Sequence, residues 1–258
     1  MKSTESTPSA ATAAEAGKQP GSEAILEEVT RDLVAANRIL YRQGVVDAYG
    51  HVSMRHPQIP DAFLIASSMA PARVSPEDIL ELDLNGREIG GVSQPLYLER
   101  FIHAEIYRAR PDVGAVVHSH SPSVLPFSVV PTMPLRPICH MSGFLSSGAP
   151  VFEIREATGD GSDLLISTPR LGQALAATLG PRSVVLMRGH GSTVVGRNLR
   201  EAVFHAIYTE INARLQREAL ALGAPVFLTA QESAACVATV SATMDRAWNL
   251  WIDQIQPV

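Results

Sequence analysis

Cysteine is scarce: Cys139 and Cys236 are the only two in 258 residues. They lie far apart and form no paired-ligand spacing, which excludes a disulfide framework and a thiolate metal site. Basic charge is also lacking. The net charge of −5 gives no electrostatic footprint for nucleic acid or for an anionic membrane surface, so neither is expected as a partner. No stretch approaches the roughly 20 apolar residues that cross a bilayer, and the N-terminus has no apolar signal core. The expected location is therefore the cytoplasm. No internal repeat is present.

What the chain has is apolar substance: 46% of its residues are hydrophobic, which excludes disorder as the overall state. Residues 1–21 are the exception. They are rich in Ser, Thr, Ala and Gly, offer nothing to offset the entropy of ordering, and are expected to form a flexible tail. From Ser22 a helical stripe begins (Ile25, Val29, Leu33, Leu40), with Ser22 as the expected N-cap and Gly44 as the stop. Ala48 to Asp83 mixes short apolar runs with Gly, Pro and Ser, the pattern of short strands, and Asn85-Gly86 is a hairpin turn. A helix is expected from about Leu98 to Arg108, halted by Pro111, with a strand directly after it at Gly114–His118. Thr168-Pro169 opens another helix that Gly180 closes, and Val184–Met187 is a short buried strand. Asn198 with Glu201 resembles a capping box, and Val203, Ile207, Ile211 and Leu215 carry the longest helix to Gly223. No linker divides the chain. One α/β domain over 22–258 is the simplest account.

The sharpest local chemistry is His118-Ser119-His120 at a strand end. Residues i and i+2 of a strand share a face, so two imidazoles can meet one ion, although a His-X-His also occurs on solvated faces. Arg188-Gly189-His190-Gly191 follows a second buried strand, and its glycines permit the turn that aims His190 inward as a third ligand. Three neutral imidazoles suit zinc, manganese, cobalt or iron and leave positions open for a substrate oxygen. Glu99 opens the helix that leads to the His-X-His strand, and His103 is four residues on. Such a carboxylate could serve as a general acid or base or as a fourth ligand, but a Glu-His pair at that spacing is ordinarily surface decoration.

The run Pro95-Leu96-Tyr97-Leu98-Glu99, then Arg110-Pro111-Asp112, Ala115-Val116-Val117-His118-Ser119-His120 and His190-Gly191 resembles the class II aldolase/adducin family. There a glutamate precedes the first metal histidine by nineteen residues, the separation of Glu99 from His118. The resemblance spans about Glu23 to Gly223 and includes Gly50–Arg55. It implies an α/β/α layered domain with a largely antiparallel sheet, and a tetramer with active sites between subunits. It also implies a divalent metal (Zn, Mn or Co, with Fe conceivable) on His118, His120 and His190, acid/base work by Glu99, and no organic cofactor. Where the family's sugar-phosphate aldolases hold phosphate, this chain has His51, Ser68-Met69-Ala70-Pro71 and Tyr97-Leu98, which argues against a phosphorylated substrate. His51 and Ser68 are nevertheless candidates for substrate binding.

Pro95–His103 and His140-Met141-Ser142-Gly143-Phe144 most resemble the family's aromatic decarboxylases, which act on 3,4-dihydroxyphthalate and on a hydroxypyridine dicarboxylate. A decarboxylase of such a small aromatic acid is the expected function. Aldol cleavage or epimerisation of a non-phosphorylated compound, a non-catalytic adducin-like scaffold and an iron-dependent oxygenase are the alternatives. Arg136 is a candidate grip for a second carboxylate, weighed against a plain surface arginine. His140 is a candidate for orienting substrate or shuttling protons. Tyr208, three residues from His205 on the last long helix, is a candidate proton donor reaching a neighbouring subunit, weighed against interface packing. Trp248 and Trp251 are expected to bury apolar area in a C-terminal helix or against a neighbour.

Overall fold

The computed structural model describes residues 20–91 and 94–255. Its first helix, α1 (Pro20–Arg42), starts two residues before Ser22, so Ser22 lies within the first turn and is not the cap. Of the tail expected at 1–21, all but Pro20 and Gly21 lies outside the described residues, and those two are helical. Gly44 follows the helix with φ +71°, as a helix stop requires.

Three short strands come next: β1 (His51–Arg55), β2 (Ala62–Ala66) and β3 (Ile79–Asp83). The Asn85-Gly86 turn follows β3, with Asp83 Oδ1 accepting the Asn85 and Arg87 N–H groups at 2.9 and 2.8 Å. The return arm is only the bridge Leu82–Glu88. Then come α2 (Arg100–Ala109), β4 (Ala115–Ser119), α3 (Leu125–Val129), β5 (Val151–Phe152), α4 (Arg155–Thr158) and α5 (Pro169–Leu179). The chain continues through β6 (Val184–Met187), β7 (Gly191–Gly196), α6 (Leu199–Leu222), α7 (Ala230–Ser241) and α8 (Met244–Ile255).

The seven strands form one sheet in the order β3-β2-β1-β4-β7-β6-β5. Every pairing is antiparallel except β5 with β6. Side-chain alternation divides the core in two. Val52, Val117 and Val194 face one way, onto Leu33 and Ile39 of α1, Val203 and Ile207 of α6, and Trp248 and Trp251 of α8. Phe63, Val116 and Val195 face the other way, onto Ile102 and Ile106 of α2 and Leu171, Leu175 and Leu179 of α5. The result is the expected α/β/α layered domain, with both tryptophans in a C-terminal helix against the chain's own core.

The helix ends follow their sequence cues. Thr168 caps α5, and Gly180 ends it with φ +54°. Asn198 Oδ1 accepts the Glu201 N–H at 2.9 Å, but Glu201 does not complete a capping box. Its carboxylate instead takes the Arg197 N–H at 2.6 Å and the Arg197 guanidinium at 2.9 Å. Both cysteines are free. Among the described residues, no helix is long and apolar enough to cross a membrane.

Candidate metal centre

The centre is assembled at the sheet's middle, where β4 lies between β1 and β7. His118 is the fourth residue of β4, and His120 follows just past its end. His190 sits in the turn between β6 and β7, behind Gly189 at φ +67°. Gly191 is needed for a different reason: a Cβ there would stand 2.1 Å from the Ser119 carbonyl oxygen, so no other residue lets the β6–β7 turn approach β4 so closely. Glu99 occupies the N-cap position of α2, one residue before the helix, and not its first turn.

These four residues point their polar atoms at one place. Nε2 of His120 lies 3.2 Å from Nε2 of His118 and 3.0 Å from Nε2 of His190. Glu99 Oε2 is 3.5 Å from Nε2 of both His118 and His190. All four ligand atoms fall within 4.8 Å of one another. Backbone carbonyls settle which nitrogens carry protons. His118 Nδ1 donates to the Ser192 carbonyl at 3.1 Å and His190 Nδ1 to the Leu164 carbonyl at 2.9 Å. Carbonyls only accept, so in each neutral ring Nε2 is a bare lone pair directed at the centre.

Lone pairs so close repel unless something positive lies between them. Nitrogen ligands about 2.0–2.1 Å from a shared ion stand roughly 3–3.4 Å apart, so the observed spacing fits a divalent cation. The donor set of three imidazoles and a carboxylate suits zinc, manganese, cobalt or ferrous iron.

Burial holds His118 down to about 3 against the pull of Glu99, and it lowers His120 as well, so both imidazoles are neutral. His190 differs: burial acts to lower it, but the hydrogen bond and charge of Glu99 outweigh that and raise it. Burial also works against ionisation of Glu99. The hydrogen bond and charge of His190, with the Ile166 N–H that Oε1 accepts at 2.9 Å, outweigh that and lower it. Glu99 is therefore a carboxylate, whereas a proton donor at rest would need burial to prevail.

A cavity of about 390 Å³ opens beside the cluster. Tyr49, His51, Met69, Tyr97 and Leu165 wall it, and Glu99 and His120 form its polar end. Tyr97 is fixed by donating its hydroxyl to the Met69 carbonyl at 2.6 Å, and the His51 ring packs, tilted, between Tyr97 and His118 at ring separations of 4.5 and 4.9 Å. Ser68 lies on the exposed rim of the same cavity. His51, Ser68 and Glu99 are thus brought together with the three histidines.

Three other candidates are not. Arg136 is exposed and stacks over Phe227 at 4.0 Å, with its backbone N–H and C=O held by the buried amides of Gln216 and Asn212. His140 is exposed at the start of a 3₁₀ segment, His140–Ser147. Tyr208 is half-buried on α6 against Phe204, its pKa raised by burial. Within one chain none of them lines the cavity. His205 is spent on the fold: its Nδ1 donates to the Val195 carbonyl at 2.9 Å and its ring stacks on Phe144.

Sequence reasoning passed over His103, which spacing alone made half a surface pair. It is fully buried and bonded to His51 Nδ1 at 2.6 Å and to Ser53 Oγ at 2.6 Å. The available cue was period: His51 and Ser53 alternate on one strand, and His103 and Tyr107 recur one helical turn apart.

Comparison with known proteins agrees with this architecture. Residues 31–217 match the Class II Aldolase and Adducin N-terminal domain. The decarboxylase tropJ of Talaromyces stipitatus is 36% identical over 249 residues, covering 88% of this chain and 93% of that protein. A 3,4-dihydroxyphthalate decarboxylase of Terrabacter sp. is 31% identical, covering 80% of this chain and 87% of that protein. Among solved structures, an L-fuculose 1-phosphate aldolase from Glaciozyma antarctica superposes with TM-score 0.74 at 24% identity, covering 90% of each chain, a likeness of fold. With the match running through most of its length and decarboxylases among its relatives, the chain belongs to the class II aldolase and adducin N-terminal domain family and is one of its lyases.

Proposed function

We propose that the protein is a divalent-metal-dependent carboxy-lyase that removes carbon dioxide from a hydroxylated aromatic dicarboxylate such as 3,4-dihydroxyphthalate. The observation that carries this reading is the convergence of three imidazoles and Glu99 Oε2 at the end of a cavity walled by flat and apolar side chains. The name of the Terrabacter relative supports the substrate class.

When bound by His118, His120 and His190, a divalent cation supplies Lewis acidity to a substrate hydroxyl and its neighbouring carboxylate. The protein's own residues do the rest. Tyr97 and His51 present their rings to the substrate and, with Met69 and Leu165, keep water from the reacting carbon. Glu99, ionised at rest, takes the hydroxyl proton on Oε2 and returns it to the ring carbon that bears the leaving carboxylate. The carbon–carbon bond then breaks, carbon dioxide leaves, and the bonding pair restores the aromatic ring. The Ile166 N–H on Oε1 keeps Oε2 turned toward the substrate throughout.

The described lining of the cavity contains no lysine or arginine, so a second substrate carboxylate has no cationic partner from the same chain. We assign that part to a neighbouring subunit of a cytoplasmic homotetramer, with Arg136, His140 and Tyr208 as the contributed side chains.

The test is carbon dioxide release from 3,4-dihydroxyphthalate by protein loaded separately with zinc, manganese and cobalt. Release that stops on chelation and returns with metal supports the assignment. No release with any of the three, alongside clean cleavage of a hydroxy-ketone, replaces it with aldol chemistry.

A further inference from the structure

We propose that His51 contacts the substrate as a neutral hydrogen-bond donor, its Nε2–H fixed at the cavity wall by a buried chain that runs from Tyr107 through Ser53 and His103. The choice of ligand, an anionic oxygen of the aromatic acid, rests on the function proposed above. The polarity of the chain does not.

The chain is set by register. His51 and Ser53 alternate on β1, where they pair with His118 and Val116 of β4 and so face α2. His103 and Tyr107 stand one turn apart on α2 and meet them. Three contacts link the four side chains: Tyr107 hydroxyl to Ser53 Oγ at 2.7 Å, Ser53 Oγ to His103 Nδ1 at 2.6 Å, and His103 Nε2 to His51 Nδ1 at 2.6 Å. Ser53 and His103 are fully inaccessible and Tyr107 is nearly so.

Only one direction satisfies every group. Among the described residues, the Tyr107 hydroxyl has Ser53 Oγ as its sole side-chain hydrogen-bond partner, and its backbone partner, Val116, acts against burial to lower its pKa and is therefore an N–H donor that cannot take the phenol proton. A buried phenol whose proton found no acceptor would forfeit its hydration without return, so Tyr107 donates. The Ser53 proton then has one remaining acceptor, His103 Nδ1. With Nδ1 accepting, the neutral His103 ring carries its proton on Nε2 and donates to His51 Nδ1. His51 in turn carries its proton on Nε2. The opposite direction would strand the Tyr107 proton in the interior.

The consequence lies in the cavity. His51 Nδ1 is engaged on the interior side, and the ring lines the cavity beside Glu99 and His120. A fixed N–H there meets negative charge on a substrate oxygen without having to reorient, and in a site closed to water such a donor is worth more than in solution. With no cationic side chain among the described lining residues, this neutral donor is a means by which the chain itself recognises an oxyanion beside the candidate metal ligands.

Nitrogen shifts of metal-free protein labelled with 15N-histidine read the tautomer without any ligand, His51 being assigned by the peak missing in His51→Phe. The expected result is protonation on Nε2 at both His51 and His103; a proton on Nδ1 of His51 overturns the proposal. Calorimetric binding of 3,4-dihydroxybenzoate to zinc-loaded protein tests the contact. His51→Phe should weaken binding at least tenfold at unchanged zinc content, and His51→Gln, which keeps an N–H, should recover part of the loss. Equal affinity in wild type and His51→Phe also overturns it. Failure of the wild type to bind overturns the substrate class proposed above, while the tautomer still judges the polarity of the chain.

Discussion

His118 and His190 spend their Nδ1 protons on the Ser192 and Leu164 carbonyls, which leaves each ring a single basic nitrogen and one direction in which to use it. Removing either ring therefore removes a ligand that nothing nearby replaces. His190→Ala should lose bound metal, measured by elemental analysis after dialysis, and turnover with it. Glu99→Gln should separate the two. Its amide cannot accept and return a proton, so turnover should fall by about 10² to 10⁴, while metal content stays near that of the wild type because three imidazoles remain. Full activity in Glu99→Gln would remove Glu99 from the chemistry. His118, His120 and His190 are legible because their spacing is itself a cue, i and i+2 on a strand and a histidine between glycines, whereas Glu99 is reached only through the family resemblance and its separation from His118. His103 was hidden for the opposite reason. A Glu-His pair four apart looks the same on a solvated helix as in a core, and only the partner strand, with His51 and Ser53 facing α2, tells them apart.

A cap helps to place a helix but is neither necessary nor sufficient: α2 is legible from its apolar stripe and Pro111 without one. Thr168-Pro169 and Asn198 open α5 and α6 where expected, because a side-chain oxygen beside the first helical N–H groups is a local property of the sequence. Ser22 failed because the helix begins earlier, at Pro20. Helix α7 was overlooked although Thr229 and Glu232 form a full capping box before it. Strand β5, two residues long, has too little pattern to read. At the start of α6, Glu201 is largely buried, and although burial acts to raise its pKa, the Arg197 hydrogen bonds prevail and lower it. A carboxyl whose folded pKa lies below its unfolded value stabilises the fold above the unfolded pKa and ceases to do so as pH falls through the folded one. Glu201→Gln should thus cost about 1 kcal/mol at neutral pH, Arg197 being exposed enough for solvent to blunt the pair. Urea denaturation at a series of pH values should show the gap closing in acid. A gap that stays constant down the series would assign the effect to packing.

The two halves of the site have different relations to the single chain. The candidate metal ligands, Glu99 and the His51 chain come from β1, from β4 and the residue just past it, from the β6–β7 turn, and from α2 and its N-cap, all within one chain. The mouth of the cavity is another matter: Tyr49 and Leu98 line it with 68% and 62% of their surfaces exposed, large apolar side chains left uncovered. A second subunit seated there would bury them and bring the side chains that one chain holds away from its own cavity, Tyr208 among them. The sequence suggests such an arrangement through resemblance alone, since contacts between subunits leave no period or spacing in the chain. It predicts a particle of four 27.7 kDa chains by sedimentation. It also predicts complementation. In a mixture of Glu99→Gln and Tyr208→Phe subunits, some sites combine an intact Glu99 from one chain with an intact Tyr208 from another. Co-unfolding and refolding the two variants together should then yield more activity than refolding them apart and mixing them afterwards, up to about a quarter of the wild-type value if the two assort at random. Equal activity from the two procedures would place Tyr208 outside the site, and a monomer at micromolar concentration would remove the shared mouth altogether.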